Sequence, residues 1–182
     1  RKALGGAVDY LALMAYDQFS RGSRTAGPVA SYPWVEQAVQ HLTKDVDSRK
    51  IILGMPLYMR IWYEAYNDRR LPKLPAQWKL ALASGAHPDQ VVRLDIRTLS
   101  MADSQTILKQ YERYVRWDNV LRLYYLELPL EDGIVKIWFE DEKSLKEKAG
   151  IMRQYNLAGA AFWRKGFETS NLWQDFGKHE LT

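Results

Sequence analysis

"YLALMAYDQ", residues 10–18, decides how this chain is read. The stretch opens on apolar residues and closes on Tyr16, Asp17 and Gln18. An unbroken apolar run of this length suits a strand of a parallel sheet covered on both faces. A strand over 8–16 is therefore expected, buried throughout, with a phenol and a carboxylate at its mouth. "KIILGMPLY" (50–58) reads as a second buried strand, its end marked by Gly54 and Pro56, and "LAGAAFW" (157–163) as a third. The second ends at Tyr58 and Arg60, the third at Trp163, Arg164 and Glu168. In parallel α/β folds, sites gather at the carboxyl ends of strands, so these polar endings point to one site.

The segments between fill in the architecture. A loop rich in Gly, Ser and Arg follows Tyr16, and Ser31 has the character of a helix N-cap with Pro33 in the first turn. Val35, Ala38, Val39, Leu42 and Val46 then form a helical stripe. Strand, loop, helix and strand make a βαβ unit. From 63 to about 135 the rhythm changes. "RRLPKLP" (69–75) is a proline-punctuated linker, and Ser100 and Asp103 have capping-box spacing ahead of a helix-like "SQTILKQYERY". "YVRWD", "LRLYYLEL" and "GIVKIWF" read as short antiparallel strands, the last two joined by a turn at Glu131, Asp132 and Gly133. The segment is a small α+β insertion. A helix over 141–155 follows, with Leu145, Ala149 and Met152 as its stripe. Glu140, Asp141 and Glu142 serve its capping and dipole, and Asn156 suits a left-handed terminus. The expected division is 1–62, 63–137 and 138–182.

Composition narrows the function. The 182 residues are 47% hydrophobic and 26% charged, enough for a core. A formal net charge of +4 with scattered Lys and Arg does not call for a nucleic-acid partner. Seven Trp and eleven Tyr are many for this length and suit sugar-stacking surfaces as well as cores. No cysteine is present, so disulfides and thiolate chemistry are excluded. No membrane span is expected. His41, His87 and His179 lack metal spacing and are assigned to the surface, and no cofactor or metal is expected. The start at Arg1 suggests a segment of a longer protein.

"LMAYD" (13–17), "ILGMPLYMR" (52–60) and "LAGAAFWRKGFE" (157–168), in this order and spacing, resemble the last three barrel strands of the family-18 glycoside hydrolases. Those are chitinase-like (β/α)8 enzymes, and the insertion is similar to their chitinase insertion domain. The stretch 138–168 is similar to the branch found in bacterial spore and cell-envelope hydrolases acting on peptidoglycan-type glycans. The resemblance implies the C-terminal portion, about strands six to eight, of a TIM barrel with an α+β insertion.

It also implies roles. In this family the substrate's own N-acetyl oxygen attacks the anomeric carbon, with retention. Tyr16 would donate its hydroxyl to the acetamido group, and Asp17 would bond the sugar or the catalytic acid. Trp163 would floor the reacting sugar, with Met14, Gln18, Tyr58, Arg60, Arg164 and Glu168 lining neighbouring subsites. Met59 stands where a Gly is common, which reshapes the adjacent subsite. The family's D-x-x-D-x-D-x-E motif, whose Glu is the general acid, is absent. The expected parent is a hydrolase of N-acetylglucosamine-containing glycans in the cell envelope, spore or exterior, with this chain inactive alone and able to self-associate through an open barrel edge. The alternative is a non-catalytic glycan-binding module. Plainer readings stand beside these roles: a strand end and turn at Tyr16 and Asp17, a core position for Trp163, a surface ion pair for Arg60 and a cap for Glu168.

Overall fold

The computed structural model describes residues 1–66 and 93–176, so the proline-punctuated linker, His87 and His179 lie outside the described residues. Two sheets are present. The first is parallel, of order β1-β2-β8, from β1 (Leu11–Met14), β2 (Ile51–Pro56) and β8 (Gly159–Trp163). The second is antiparallel, of order β4-β3-β7-β6-β5. Its strands are β3 (Tyr58–Ala65), β4 (Arg93–Ser100), β5 (Arg116–Asp118), β6 (Leu123–Leu130) and β7 (Gly133–Phe139).

The helices are α1 (Lys2–Ala7), α2 (Tyr32–Thr43), α3 (Met101–Gln110), α4 (Glu142–Tyr155) and α5 (Leu172–Phe176). Ser31 is the N-cap of α2, with Pro33 in the first turn. Val35, Val39 and Leu42 are buried, as the helical stripe requires. For α3, Ser100 Oγ accepts from Asp103 N at 3.0 Å and donates to Asp103 Oδ2 at 2.6 Å. Asp141 caps α4 reciprocally with Ser144, and Asn156 closes it at φ 52°, ψ 51°.

Four expectations need correction. The strand expected over 8–16 is confined to Leu11–Met14: Val8, Asp9 and Tyr10 connect it to α1, and Ala15 and Tyr16 lead into the left-handed turn at Asp17. The first and third strands are also not buried on both faces. Leu13, Leu53, Met55 and Phe162 face the side packed by α2 and α4, whereas Met14 is 70% and Trp163 55% exposed on the opposite side. Apolar content cannot tell a strand with two covered faces from one with a bare face. The stretch 50–58 is not one strand: β2 stops at Pro56, and after Leu57 the chain enters β3 of the other sheet, ahead of the boundary expected at 62. Finally, Glu140 does not serve the helix terminus. It is 1% exposed, and Lys148 Nζ of α4 lies 2.7 Å from its Oε2. Ser144 Oγ donates to the same oxygen at 2.9 Å, and burial pushes the carboxyl's pKa up against the lowering by Lys148.

The core runs through both sheets. On the inner face of the antiparallel sheet, Met59, Ile61, Tyr63, Leu126, Val135, Ile137 and Phe139 are all buried. The outer face carries Arg60, Glu64, Lys136 and Trp138, which are half-buried.

Candidate functional site

Residues from both sheets meet at the carboxyl end of β1. The chain leaves β1 through Tyr16 and takes a left-handed conformation at Asp17, φ 62°. Asp and Asn tolerate that region best after Gly. The turn aims the Asp17 carboxylate at the start of β3. Its Oδ1 accepts from Tyr58 Oη at 2.7 Å and from Arg60 Nη2 at 2.6 Å. Arg60 Nη1 donates to Thr98 Oγ1 at 2.8 Å, on β4 directly across the ladder. The Arg60 side chain is 15% exposed and that of Asp17 47%, so the guanidinium is the more enclosed partner. Its Nε is buried without a hydrogen-bond partner among the described residues.

Tyr16 packs edge-on against Tyr58, ring centroids 6.3 Å apart. Its other side faces a recess of about 80 Å³ lined by Met14, Gly54, Ala161 and Trp163. Met14, Gly54 and Ala161 are register partners in one row across the parallel sheet. Gly54 is what lets the phenol lie over that row. A Cβ there would stand 2.7 Å from the Leu13 carbonyl oxygen and 3.2 Å from Tyr16 Cε1. Trp163 presents an open ring face at the rim, and its peptide bond to Arg164 is cis.

The structure thus brings together Met14, Tyr16, Asp17, Tyr58, Arg60 and Trp163 of the expected residues. It engages the other three elsewhere. Gln18 Oε1 accepts from Ser31 N at 2.9 Å while its own N donates to Val29 O at 2.8 Å, so it closes the base of the 19–30 loop. Arg164 lies over the Phe167 ring at 4.6 Å. Glu168 accepts from Gly166 N at 2.6 Å, and its own and neighbouring backbone N–H groups hold its carboxyl below the usual range. His41 is exposed. Two site residues escaped the sequence reading. Gly54 registered only as a strand end, and Thr98 was invisible because β4 was not recognised as a strand. Among the described residues no group of three or more His, Cys, Asp or Glu could hold a metal ion.

Electrostatics keep the phenols protonated. Burial, then the Asp17 charge, raises the Tyr16 pKa. Burial, then donation to Asp17, raises that of Tyr58 strongly. Tyr63, bonded to Asp132, and Tyr125, bonded to Glu127, are raised for the same reasons. These groups lose their protons later in the folded than in the unfolded chain. The stability these phenols contribute is therefore fully present up to about pH 10, where unfolded tyrosines ionise, and is lost as pH rises from there toward the folded-state values. A melting-temperature series from pH 8 to 12 should show a plateau and then this decline, shallower in Tyr58→Phe. A plateau unbroken to pH 12 would contradict it.

A site of this kind offers a phenolic donor, an ion-paired carboxylate and an aromatic face around one small recess. It can orient and stack a neutral polyol. The model of the glycosyl hydrolases family 18 matches residues 2–167. The chain belongs to glycosyl hydrolases family 18. It is 27% identical over 161 residues, 88% of its length, to the putative sporulation-specific glycosylase YdhD of Bacillus subtilis, of which it spans 33%. Its fold superposes on the Bacillus cereus spore cortex-lytic enzyme SleL with TM-score 0.73 at 20% identity, covering 100% of this chain and 36% of that one. It also matches a family-18 chitinase from Cycas revoluta, solved with (GlcNAc)3, with TM-score 0.62 at 20% identity, covering 94% and 46%. This family-18 chain therefore spans about a third of the curated relative's length. The chain is thus similar to a sporulation-specific glycosylase, and its α/β fold is like that of the cortex-lytic enzyme and the chitinase.

Proposed function

We propose that this chain supplies the strand-six-to-eight portion of a (β/α)8 glycoside hydrolase acting on N-acetylglucosamine-containing glycans of chitin or peptidoglycan type. The observation that carries the reading is the shared Asp17 oxygen, held by Tyr58 at 2.7 Å and Arg60 at 2.6 Å beside Tyr16 and the open face of Trp163. In a substrate-assisted, retaining mechanism the acetamido oxygen is the nucleophile. The protonated Tyr16 would orient that group, Asp17 would balance the positive charge that develops on it, and Trp163 would stack under the ring.

The general acid would come from a preceding strand that this sequence does not contain, so the chain alone binds without cleaving. In this reading the parallel strands with their helices are barrel segments, and the antiparallel sheet, which begins with β3 at Tyr58 and ends with β7 at Phe139, is the insertion. Met14 would line the subsite at the recess, while Gln18, Arg164 and Glu168 would shape the loops beyond it. The bare face and edges of the parallel sheet would pair with the rest of the barrel or, in the isolated chain, with a second copy. The place of action would be the spore or cell envelope.

Titration with N-acetylglucosamine oligomers, followed by tryptophan fluorescence and paired with a turnover assay, tests the reading. Binding without turnover is expected, with affinity at least tenfold weaker in Trp163→Ala. Oligomers that leave the fluorescence unchanged would remove its support.

A further inference from the structure

A cavity among the described residues lies away from the Asp17 cluster, and the proposed chemistry does not use it. It is a groove of about 590 Å³ between α3 with the turn that follows it, the start of β6 and the N-terminus of α4. That volume is in the range of ligand sites. Tyr124 belongs to the inner face of the antiparallel sheet, as its register partner Phe139 shows, whereas Arg60 projects from the outer face. The groove and the Asp17 cluster are therefore on opposite sides of that sheet.

One wall comes from α3 and its following turn. The helix buries Met101, Ser104 and Ile107. Rotated from that stripe, Gln105, Leu108, Lys109 and Glu112 line the groove at i, i+3, i+4 and i+7 spacing. The polar ends of Gln105, Lys109 and Glu112 make no hydrogen bond or ion pair among the described residues. A stripe facing a concave surface is ordinarily apolar, and here it presents an amide, a cation and a carboxylate.

The opposite wall is stiff. Tyr124 packs edge-on against Trp117 at 4.9 Å, and Lys143 Nζ covers the Trp117 ring at 3.6 Å. Asp141 Oδ1 accepts from Ser144 N at 2.8 Å, which fixes the carboxylate at the groove's edge.

We infer that this groove is a second saccharide-binding site, for an uncharged chain of N-acetylated sugars. The inference rests on the glycan reading above. Two cations, Lys109 and Lys143, against two carboxylates, Glu112 and Asp141, leave the groove near neutral, which suits neither a polyanion nor a polycation. An amide, carboxylates and ammonium groups beside a fixed aromatic ring match the hydroxyls, acetamido groups and apolar faces of such sugars. A long glycan could thus be held on the far side of the insertion sheet while another stretch occupies the Asp17 cluster.

The test is a titration of the isotope-labelled chain with N-acetylglucosamine trisaccharide, followed by the backbone amide shifts of residues 105–112 and the Trp163 indole N–H. Two independent saturation curves are expected. Gln105 and Glu112 are exposed and their side chains make no hydrogen bond among the described residues, so Gln105→Ala/Glu112→Ala should leave the fold intact. It should weaken the groove curve at least tenfold and leave the Trp163 curve unchanged. A Trp163 response with silent groove amides overturns the second site and spares the glycan reading. Silence at both overturns both. Groove shifts unaltered in the double variant overturn the assigned contacts, and groove shifts with a short peptide instead of the sugar overturn the ligand class.

Discussion

Lys148→Ala should lower the melting temperature by roughly 10 °C. Lys148 and Glu140 are each 1% exposed in the side chain and 2.7 Å apart. Removing one partner of such a pair leaves an uncompensated buried charge, at a cost of about 3–5 kcal/mol. For a chain of this size each kcal/mol moves the midpoint by about 2–4 °C. Protonation of Glu140 would relieve part of the penalty, since burial already favours its neutral form. Glu140 Oε1 has no hydrogen-bond partner among the described residues, so the site has no spare donor to take over. Replacing both residues together, Glu140→Leu with Lys148→Met, should restore most of the loss, because it removes both buried charges. Thermal unfolding of the two variants decides the matter. A midpoint within 2 °C of wild type for Lys148→Ala would show that the pair contributes nothing.

Asp17→Asn should weaken glycan binding about tenfold, and Asp17→Ala closer to a hundredfold, equivalent to about 1.4 and 2.7 kcal/mol. The asparagine keeps an oxygen for Tyr58 and tolerates the left-handed backbone, but it leaves the enclosed Arg60 without a counter-charge. The alanine removes both bonds, frees Arg60 and Tyr58 to turn into the recess, and adds about 1–2 kcal/mol of backbone strain at φ 62°. Half-exposure of Asp17 keeps these values below those of a fully buried pair. Fluorescence titration of both variants with N-acetylglucosamine oligomers provides the comparison. An asparagine variant that binds as the wild type does would show that the charge of Asp17 is idle in binding.

Much of this molecule was legible in the residues. The caps at Ser31, Ser100 and Asp141 and the left-handed Asn156 follow from local chemistry that no distant contact overrides. Tyr16, Asp17 and Trp163 lie at or just past the ends of β1 and β8, as the apolar pattern indicates, whereas Tyr58 and Arg60 open β3 and do not close β2. What escaped depends on partners remote in sequence. The bare face at Met14 and Trp163 is a matter of what lies opposite, not of the strand's own letters. β3 was hidden because its apolar content runs on from β2 with only Leu57 between them. The Glu140–Lys148 pair looks like an acidic helix start followed by a surface lysine until packing shows both buried. Gly54 matters through a methyl group it does not have.

Leu57 carries the last consequence. It is fully buried, donates to Trp163 O at 2.7 Å and accepts from Met101 N at 2.9 Å. This single residue joins the parallel sheet to the antiparallel one, and its two peptide bonds also pin the end of β8 and the start of α3. Floor and wall therefore share one buried joint: a shift of the antiparallel sheet or of α3 is passed through the Leu57 backbone to the carbonyl of Trp163, and so to the rim of the recess.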